Sequence, residues 1–305
     1  MANKIKFKIK KSDVGFRLDH FLVKKISNLS RSKVQKKIKD GRILVNQEKT
    51  KANHQLNQGD NIIVDLNLTP KAKKEKKDIK LDIIYENSDV IVINKPAGLV
   101  VHPAYGHKTD TLIDNLLNKI KFKNKNFSER TGIVHRLDKD TSGVLIIAKT
   151  ENTHNHLVEQ FKKQKVVKTY LALIKGNVKP KKGIIDSPIC RNPTNRQKMT
   201  VCLPGEGKDA LTEYKVLKYL HGFTLIEVKP KTGRTHQIRV HLSSIGHPVV
   251  GDKVYGGRHS QKVPHQFLHA YSLKIKLPKG ETKEFKADLP YDLQKILSRL
   301  SKKQS

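Results

Sequence analysis

The sequence has few cysteines, few acidic residues and no long apolar run, and each shortage excludes a class of protein. Its 305 residues include two cysteines, Cys190 and Cys202, which are too few for a disulfide framework and lack zinc-finger spacing. No apolar run approaches the roughly 20 residues of a membrane-spanning helix. Residues 1–13 are basic but lack the apolar block of a secretory signal. We therefore expect a soluble, cytoplasmic protein.

The shortage of acidic residues leaves a large positive charge. Lysine and arginine number 62, and aspartate and glutamate 28, for a formal net charge of +34. A charge of this size is typical of proteins with a polyanionic partner, most often nucleic acid. A lysine-rich solvated surface is the alternative that charge alone leaves open. The sequence contains no Gly-x-x-x-x-Gly-Lys loop, so it does not predict a nucleoside triphosphatase.

The patterning predicts two domains and an α+β fold. A small α/β module occupies residues 1–68, a charged linker 69–80, a mostly antiparallel mixed sheet with short helices 81–298, and a tail 299–305. The strict strand–helix alternation of a doubly wound sheet is missing. In the large domain the predicted helices span 110–121 and 152–163, and the predicted strands span 144–149, 168–175, 210–218, 223–229 and 269–276.

The small module contains two predicted helices, and the second is rich in lysine. It is predicted to begin after Ser30, a good N-cap, and to end at Gly41. Lys33, Lys36 and Lys37 share one helical face, at a spacing that suits a run of phosphates. Taken alone, such a face is also typical of a solvated helix.

The same module resembles the S4 RNA-binding module. The matching pieces are residues 17–19, 29–34, 41–46 and 59–60. The resemblance implies that RNA is bound through the second helix and the turn beside it. The residues expected to contact RNA are Arg17, Ser30, Arg31, Lys33, Lys36 and Lys37.

In the large domain, residues 132–150 (GIVHRLDKDTSGVLIIAKT) place charged and hydroxyl residues between two strand-like stretches. An aspartate beside an arginine in such a turn is most often a surface residue that makes local hydrogen bonds. Here an apolar strand follows at once, and Gly143 permits a sharp backbone path. Asp138 would then have little freedom, as a nucleophile requires, and Arg136 or another arginine could orient it.

The letters around Asp138 also approximate the Asp-x-Asp-x-Thr loop of haloacid-dehalogenase-type phosphatases. That loop normally follows an apolar first strand near the start of the chain, and Mg²⁺ binds nearby. In this sequence the site is mid-chain, residues 135–137 intervene, and no later Asp-Asp metal pair appears. The sequence therefore does not favour a phosphatase.

Residues 231–241 (KTGRTHQIRVH) form a second basic motif, which follows a predicted strand. In extended form, Arg239 and His241 would lie on one face, and Ile238 and Val240 on the other. Arg239 could then reach into a site while its apolar neighbours pack.

Three histidines of this region, His236, His241 and His247, raise the question of a metal site. No carboxylate lies at ligand spacing, and several basic residues share the stretch. We therefore favour RNA contact or a structural role for these histidines, and expect no metal.

Together the motifs resemble the RluA-type family of pseudouridine synthases, from residue 14 to residue 295. The matching segments are 94–98, 101–103, 132–138, 141–143, 168–170, 186–189, 191–194, 232–241, 247–248 and 251–257. The resemblance implies the pseudouridine synthase fold and the conversion of an RNA uridine to pseudouridine without a cofactor. A base inside a stack must be flipped out for such chemistry.

The resemblance also assigns catalytic roles. Asp138 is the catalytic carboxylate, which either attacks C1′ or takes a ribose proton to give a glycal. Tyr170 packs on the flipped uracil and is a candidate base for the C5 proton, and Arg239 pairs with the aspartate.

Further residues are expected to bind or support the substrate. Arg136 fills the gap left by the flipped base or holds a phosphate, and Ile238 forms an apolar wall against uracil. His135 braces the loop, and Arg234 joins the substrate-binding set. Asp140 is expected to be a structural partner in the loop.

The expected substrate is large-subunit (23S) ribosomal RNA, free or within a pre-50S particle, and the expected state is a monomer. Two alternatives stay open. One is the same chemistry on a different ribosomal or transfer RNA uridine. The other is a non-catalytic RNA-binding factor of ribosome assembly, against which the presence of Asp138, Tyr170 and Arg239 argues.

Overall fold

The computed structural model describes residues 4–26, 29–65, 81–101, 111–112, 132–196, 198–256 and 263–302. The chain forms two compact units, Met1–Lys76 and Lys77–Ser305. The predicted linker at 69–80, and all but two residues of the predicted helix at 110–121, lie outside the described residues. No helix in the described part of the chain is long and apolar enough to cross a bilayer.

The first unit is a small antiparallel sheet packed against two helices. Its elements are β1 Lys4–Lys8, a 3-10 turn Lys11–Asp13, the helices Leu18–Lys25 and Arg31–Lys39, β2 Ile43–Val45, β3 Glu48–Lys49 and β4 Asn61–Asp65. The strands lie in the order β1-β4-β2-β3. Leu18, Leu22, Val34 and Ile38 bring the two helices into one core with the sheet. The predicted helix–helix–strand order of this module is confirmed.

The second unit is built on a mixed sheet that has nine strands among the described residues. The strands of this unit are β5 Asp82–Glu86, β6 Val90–Lys95, β7 Ser142–Ala148, β8 Val167–Lys175, β9 Lys182–Asp186, β10 Ile189–Arg191, β11 Met199–Val201, β12 Leu211–Leu220, β13 Phe223–Pro230, β14 Leu268–Lys276 and β15 Thr282–Lys286. The sheet order is β5-β6-β7-β14-β8-β13-β12-β9, with β15 beside β14, while β10 and β11 form a separate hairpin. The described part of this unit also contains three helices, Glu151–Lys162, Gln237–Ser244 and Tyr291–Lys302.

The predicted α+β class with a mostly antiparallel mixed sheet is confirmed. Among the described strands, β7 and β14 form the one parallel pair, and the other pairings are antiparallel. The helix predicted at 152–163 and the five predicted strands are present, with their ends shifted by one or two residues.

The last helix extends past residue 298, the predicted end of the catalytic domain. It continues to Lys302. Ile296, Leu297 and Leu300 pack with buried Leu293 and Phe267, at the spacing of a helix that covers a core. The apolar face therefore holds the helix past residue 298.

The segment after β13 corrects a prediction from the sequence. Residues 237–244 form a helix, not the extended strand expected for Arg239 and His241. All residues from Gln237 to Leu242 are buried, so the segment lacks the polar face that reveals an amphipathic helix. Two residues apart on a helix, Arg239 and His241 do not share a face.

Strand β7 lies inside the sheet, between β6 and β14, and supports the loop that precedes it. Val144, Ile146 and Ala148 enter one core cluster, and Leu145 and Ile147 enter the cluster on the opposite face. Gly143 has a φ of +116°, and a Cβ at this position would collide with the carbonyl oxygen of Ala270 on β14. The close approach of β7 to β14 therefore requires glycine.

We expect Gly143→Ala to lower the free energy of unfolding of the second unit by at least about 3 kcal/mol, because it adds a backbone clash to a left-handed conformation. Gly280→Ala is the matched control. Gly280 has a φ of +90°, and a Cβ added there would meet Cε of Lys276 at 3.9 Å as its nearest atom. The control should cost only the backbone penalty, about 1–2 kcal/mol. Equal losses in chemical denaturation would contradict the packing argument.

Candidate active site

A cavity of about 580 Å³ in the second unit brings together residues that are far apart in the sequence. The seven residues predicted for catalysis and substrate binding all line it: His135, Arg136, Asp138, Tyr170, Arg234, Ile238 and Arg239. Lys162, Lys168 and Lys231 add further positive charge. Asp138 is the one carboxylate among the described residues that line the cavity, whose positive charge suits a polyanion.

The loop that carries Asp138 is held by two hydrogen bonds to β7 and by one within the loop. The backbone N–H of Ala148 donates to the carbonyl of Gly132, and that of Thr141 to the carbonyl of Asp138. The ring of His135 accepts a hydrogen bond at Nε2 from the backbone N–H of Ile146, at 3.1 Å. These bonds fix the loop at both ends and in the middle.

Lys95, at the end of β6, braces the same loop from inside the protein. It is fully buried, and its Nζ donates to the carbonyls of Pro96, Leu99 and Lys139 at 2.9 to 3.0 Å. Burial lowers the pKa of Lys95 to about 7, against the opposing effect of the nearby Asp140 and Asp138 carboxylates. The turn after β6 therefore holds the residue next to Asp138 in place.

Arg239 joins the carboxylate of the cavity to a second, buried carboxylate. Its Nη1 donates to Oδ2 of Asp138 at 2.8 Å. Its Nε and Nη2 donate to Oδ2 and Oδ1 of Asp252 at 2.7 and 2.9 Å, a bidentate pair. The planar guanidinium is thus oriented by Asp252 and presents its remaining nitrogen to Asp138.

Asp252 is itself held rigidly. Its side chain is completely buried, and Oδ1 also accepts the backbone N–H groups of Val254 and Tyr255 at 2.9 and 3.0 Å. The guanidinium of Arg239 lies over the ring of Tyr255, 5.1 Å from the centroid. Arg239 therefore has a partner in its plane and another beneath it.

The charges of this pair stabilise each other. Burial alone would raise the pKa of Asp252, but hydrogen bonds and the charge of Arg239 hold that pKa below its usual value. Burial alone would lower the pKa of Arg239. The hydrogen bond to Asp252 and the charge of Asp138 outweigh that effect and hold the pKa above its usual value. Both groups therefore remain charged near neutral pH.

Tyr170 and Lys168 lie two residues apart on β8 and line the same cavity. Burial raises the pKa of the Tyr170 phenol well above its usual value, and the Asp138 charge adds to the rise. The phenol is therefore neutral and a poor acceptor for a proton. Lys168 Nζ donates to the carbonyl of Thr232 at 2.8 Å, and burial lowers the pKa of Lys168 to about 8.

The remaining predicted residues have distinct environments. His135 stacks on Phe161 with ring centroids 4.8 Å apart, and burial lowers its pKa to about 3, the Lys168 charge contributing. A neutral His135 that accepts a backbone N–H braces the loop. Arg234 donates from Nε to the carbonyl of Asp209, and Arg136 is exposed.

Two residues that position the site, Asp252 and Lys95, were not among those predicted for it. Both lie in motifs that carry the family resemblance, residues 251–257 and 94–98. The feature of the sequence that points to them is a charged residue next to a glycine or proline in a turn. Neither residue touches the cavity, so reasoning about direct contact with a substrate missed them.

The predicted RNA-binding residues belong to the first unit. Asp19 is fully buried and accepts hydrogen bonds from Arg17, from Arg31 at 3.1 Å and from Gln35 at 2.8 Å. Burial alone would raise the pKa of Asp19, but these hydrogen bonds hold it well below its usual value. The side chains of Arg17 and Arg31 remain 42% and 53% exposed, so the buried carboxylate presents two oriented guanidinium groups to solvent.

The other predicted RNA-binding residues lie along the second helix. Lys33 and Lys36 are exposed, whereas Lys37 is partly buried and donates to the carbonyl of Asp65 at 3.2 Å. Ser30 precedes the helix as predicted, but its hydroxyl meets that of Ser32 at 3.1 Å instead of capping a backbone N–H. The exposed basic face is therefore formed by the arginine pair and two lysines.

Within the described residues, no three histidine, cysteine or acidic side chains form a cluster that could hold a metal. His241, one of the histidines considered, is bonded instead to Thr212 Oγ1 and the carbonyl of Ser187, both at 2.9 Å. His247 meets the carbonyl of Lys175 at 2.8 Å. Both side chains connect the helix region to neighbouring strands.

Comparison with known proteins identifies two families in the chain. Residues 89–244 match the family of RNA pseudouridylate synthases, and residues 16–62 match the S4 domain. A curated RNA pseudouridine synthase of Bacillus subtilis is 42% identical over 288 residues, which cover 94% of each chain. The ribosomal large subunit pseudouridine synthase D of Zymomonas mobilis is 39% identical over 302 residues, again 94% of each chain.

A solved human structure has a fold similar to that of this chain. The human RNA pseudouridylate synthase domain containing 4 superposes with a TM-score of 0.58 and 29% identity. The match covers 72% of this chain and 93% of that one.

We expect Asp252→Asn to lower the free energy of unfolding of the second unit by about 3–5 kcal/mol, because it leaves the buried Arg239 charge without its main partner. The control, Glu86→Gln, removes a carboxylate paired with Lys149 that is 42% exposed, and should cost less than about 1 kcal/mol.

The pH dependence provides a second test of the same pair. A carboxylate whose pKa is lowered by folding adds stability above its unfolded pKa of about 4, and this stability is lost as pH falls through the folded value. The stability difference between wild type and Asp252→Asn should therefore shrink below about pH 4. Denaturation curves with a constant difference from pH 7 to pH 3 would contradict the assignment.

Proposed function

The chain belongs to the RNA pseudouridylate synthase family and is an isomerase, and we propose that it converts specific uridines of large-subunit (23S) ribosomal RNA to pseudouridine. One observation carries the chemical part of the proposal. Asp138 lies 2.8 Å from a fixed arginine, and it is the one acidic residue among the described residues that line the cavity.

The proposed target follows from the relatives. Several relatives are named ribosomal large subunit pseudouridine synthase D. They match 90% or more of this chain at 36–39% identity. The S4 domain and the formal charge of +34 support a large RNA as substrate. We further propose that the protein acts in the cytoplasm as a monomer, on free RNA or on a pre-50S particle.

The reaction requires that the target uridine leave its stack and enter the cavity. Asp138 then acts on the ribose, either as a nucleophile at C1′ or as the base that removes the C2′ proton, and the N1–C1′ bond breaks. The detached uracil turns, and C5 bonds to C1′. This step breaks the Asp138–C1′ bond on the first route, or returns the proton from Asp138 to C2′ on the second. C5 then loses its proton, and N1 gains one. No electrons are gained or lost overall, so the atoms balance without a co-reactant.

The residues around Asp138 orient it and contact the substrate. Arg239 orients the Asp138 carboxylate through its hydrogen bond, and the paired hydrogen bonds to Asp252 hold Arg239 in place for this role. Tyr170 packs on the uracil face, and its raised pKa favours this role over that of a base for the C5 proton. Ile238 forms the apolar wall, and Arg136, exposed at the cavity, fills the space left by the base or holds a phosphate.

Asp138→Asn is expected to lower the rate of pseudouridine formation by at least about 10⁴-fold, because the amide neither attacks C1′ nor takes a proton. RNA affinity should change little, since it comes mainly from backbone contacts. Release of tritium from transcripts labelled at uridine C5 measures the rate, and filter binding the affinity.

The matched control is Asp140→Asn, which makes the same charge change two residues away in the same loop. A much smaller loss of rate is expected for it. If Asp138→Asn kept full activity, the assignment of the catalytic carboxylate would be wrong.

The target is tested by a pseudouridine map of ribosomal and transfer RNA from cells that lack the protein. We expect large-subunit sites to disappear, to return with wild type and to stay absent with Asp138→Asn. Loss of sites in transfer RNA or in the small subunit instead would show the same chemistry on a different target. If no site changes, a role in RNA binding or ribosome assembly replaces the proposed enzyme activity in that cell.

A further inference from the structure

His236 lines the cavity but has no part in the mechanism described so far. It is the residue that precedes the helix Gln237–Ser244, and its backbone has a φ of +56° and a ψ of +18°. This left-handed conformation is uncommon for a residue other than glycine, and such residues concentrate at functional sites. The position places an imidazole ring beside the cavity, three residues before Arg239.

The protonated nitrogen of His236 is assigned from its contact with Tyr255. The Tyr255 hydroxyl oxygen accepts the backbone N–H of Met199 at 2.8 Å, and it lies 3.0 Å from Nδ1 of His236. We assign the hydroxyl proton to this contact, so that Nδ1 accepts it and carries the lone pair. With this assignment, the proton of a neutral ring is on Nε2.

The surroundings favour that neutral ring. Burial lowers the pKa of His236, Asp138 and Asp252 oppose the shift, and Arg239 and Arg136 add to it. The ring edge packs against Tyr255, with centroids 5.7 Å apart at 78°. Among the described residues nothing bonds to Nε2, so a fixed, neutral N–H donor remains for whatever occupies the cavity.

We propose that His236 is a substrate-contacting residue whose Nε2–H donates a hydrogen bond to a carbonyl oxygen of the target uracil. The inference rests on the proposed function. When the N1–C1′ bond breaks, negative charge spreads over N1, O2 and O4 of the base. A donor fixed in advance stabilises that charge without itself being deprotonated. The cavity's lysines and arginines suit the phosphates, whereas a partly buried neutral donor suits a charge that appears only during the reaction.

Two amide substitutions separate the two nitrogens of His236. Asparagine places its amide near Nδ1, so His236→Asn keeps the contact with Tyr255 but removes the donor in the cavity. Asparagine also tolerates the left-handed backbone well. Glutamine places its amide N–H near Nε2, so His236→Gln keeps the cavity donor. The full-length variants are compared under single-turnover conditions, with excess protein and an unmodified large-subunit RNA transcript labelled at uridine C5.

We expect His236→Asn to lower the single-turnover rate by about 100-fold, and His236→Gln to retain most of it. RNA affinity should match wild type in both variants, and thermal unfolding should show both to be folded at the assay temperature. Equal rates in the two variants, or a slower His236→Gln, would overturn the inference, because a purely structural left-handed residue is better replaced by asparagine. If wild type itself forms no pseudouridine in any large-subunit transcript, the proposed target fails and the inference falls with it.

Discussion

The second unit depends on one interaction, the clamp between Arg239 and Asp252. A guanidinium group has its N–H donors in a rigid plane, and Asp252 binds two of its nitrogens while Asp138 binds the third. Asp252 is in turn fixed by two backbone N–H groups and lies completely buried. Because Asp252 and Arg239 are both held rigidly, the Asp138 carboxylate has a defined position in the cavity.

The two units use the same physical device for different ends. In the first, the buried Asp19 orients Arg17 and Arg31, whose side chains stay open to solvent and suit an RNA backbone. In the second, the buried Asp252 orients Arg239 toward another carboxylate. A buried carboxylate destabilises the fold unless it is paired. When its partner is an arginine, the same pairing also orients the guanidinium group.

Much of the fold was predictable because the strands β7, β8, β12, β13 and β14 have strongly apolar or alternating patterns. The helix Gln237–Ser244 was mistaken for a strand because burial on nearly every side removes the helical period. The family resemblance pointed to seven residues that the structure places around one cavity. Asp252, Lys95 and His236 act through geometry that only folding creates, so spacing along the chain gives no measure of their contacts.

A double-mutant cycle tests whether Asp252 acts through Arg239 to position Asp138. Single-turnover rates of pseudouridine formation would be compared for wild type, Arg239→Lys, Asp252→Asn and the double variant. Lysine cannot bind both carboxylates as the guanidinium does, so either change breaks the same clamp. We predict that the double variant is no slower than the slower single variant. If the two losses multiply, the residues act independently, and Arg239 does not transmit the position of Asp252 to Asp138.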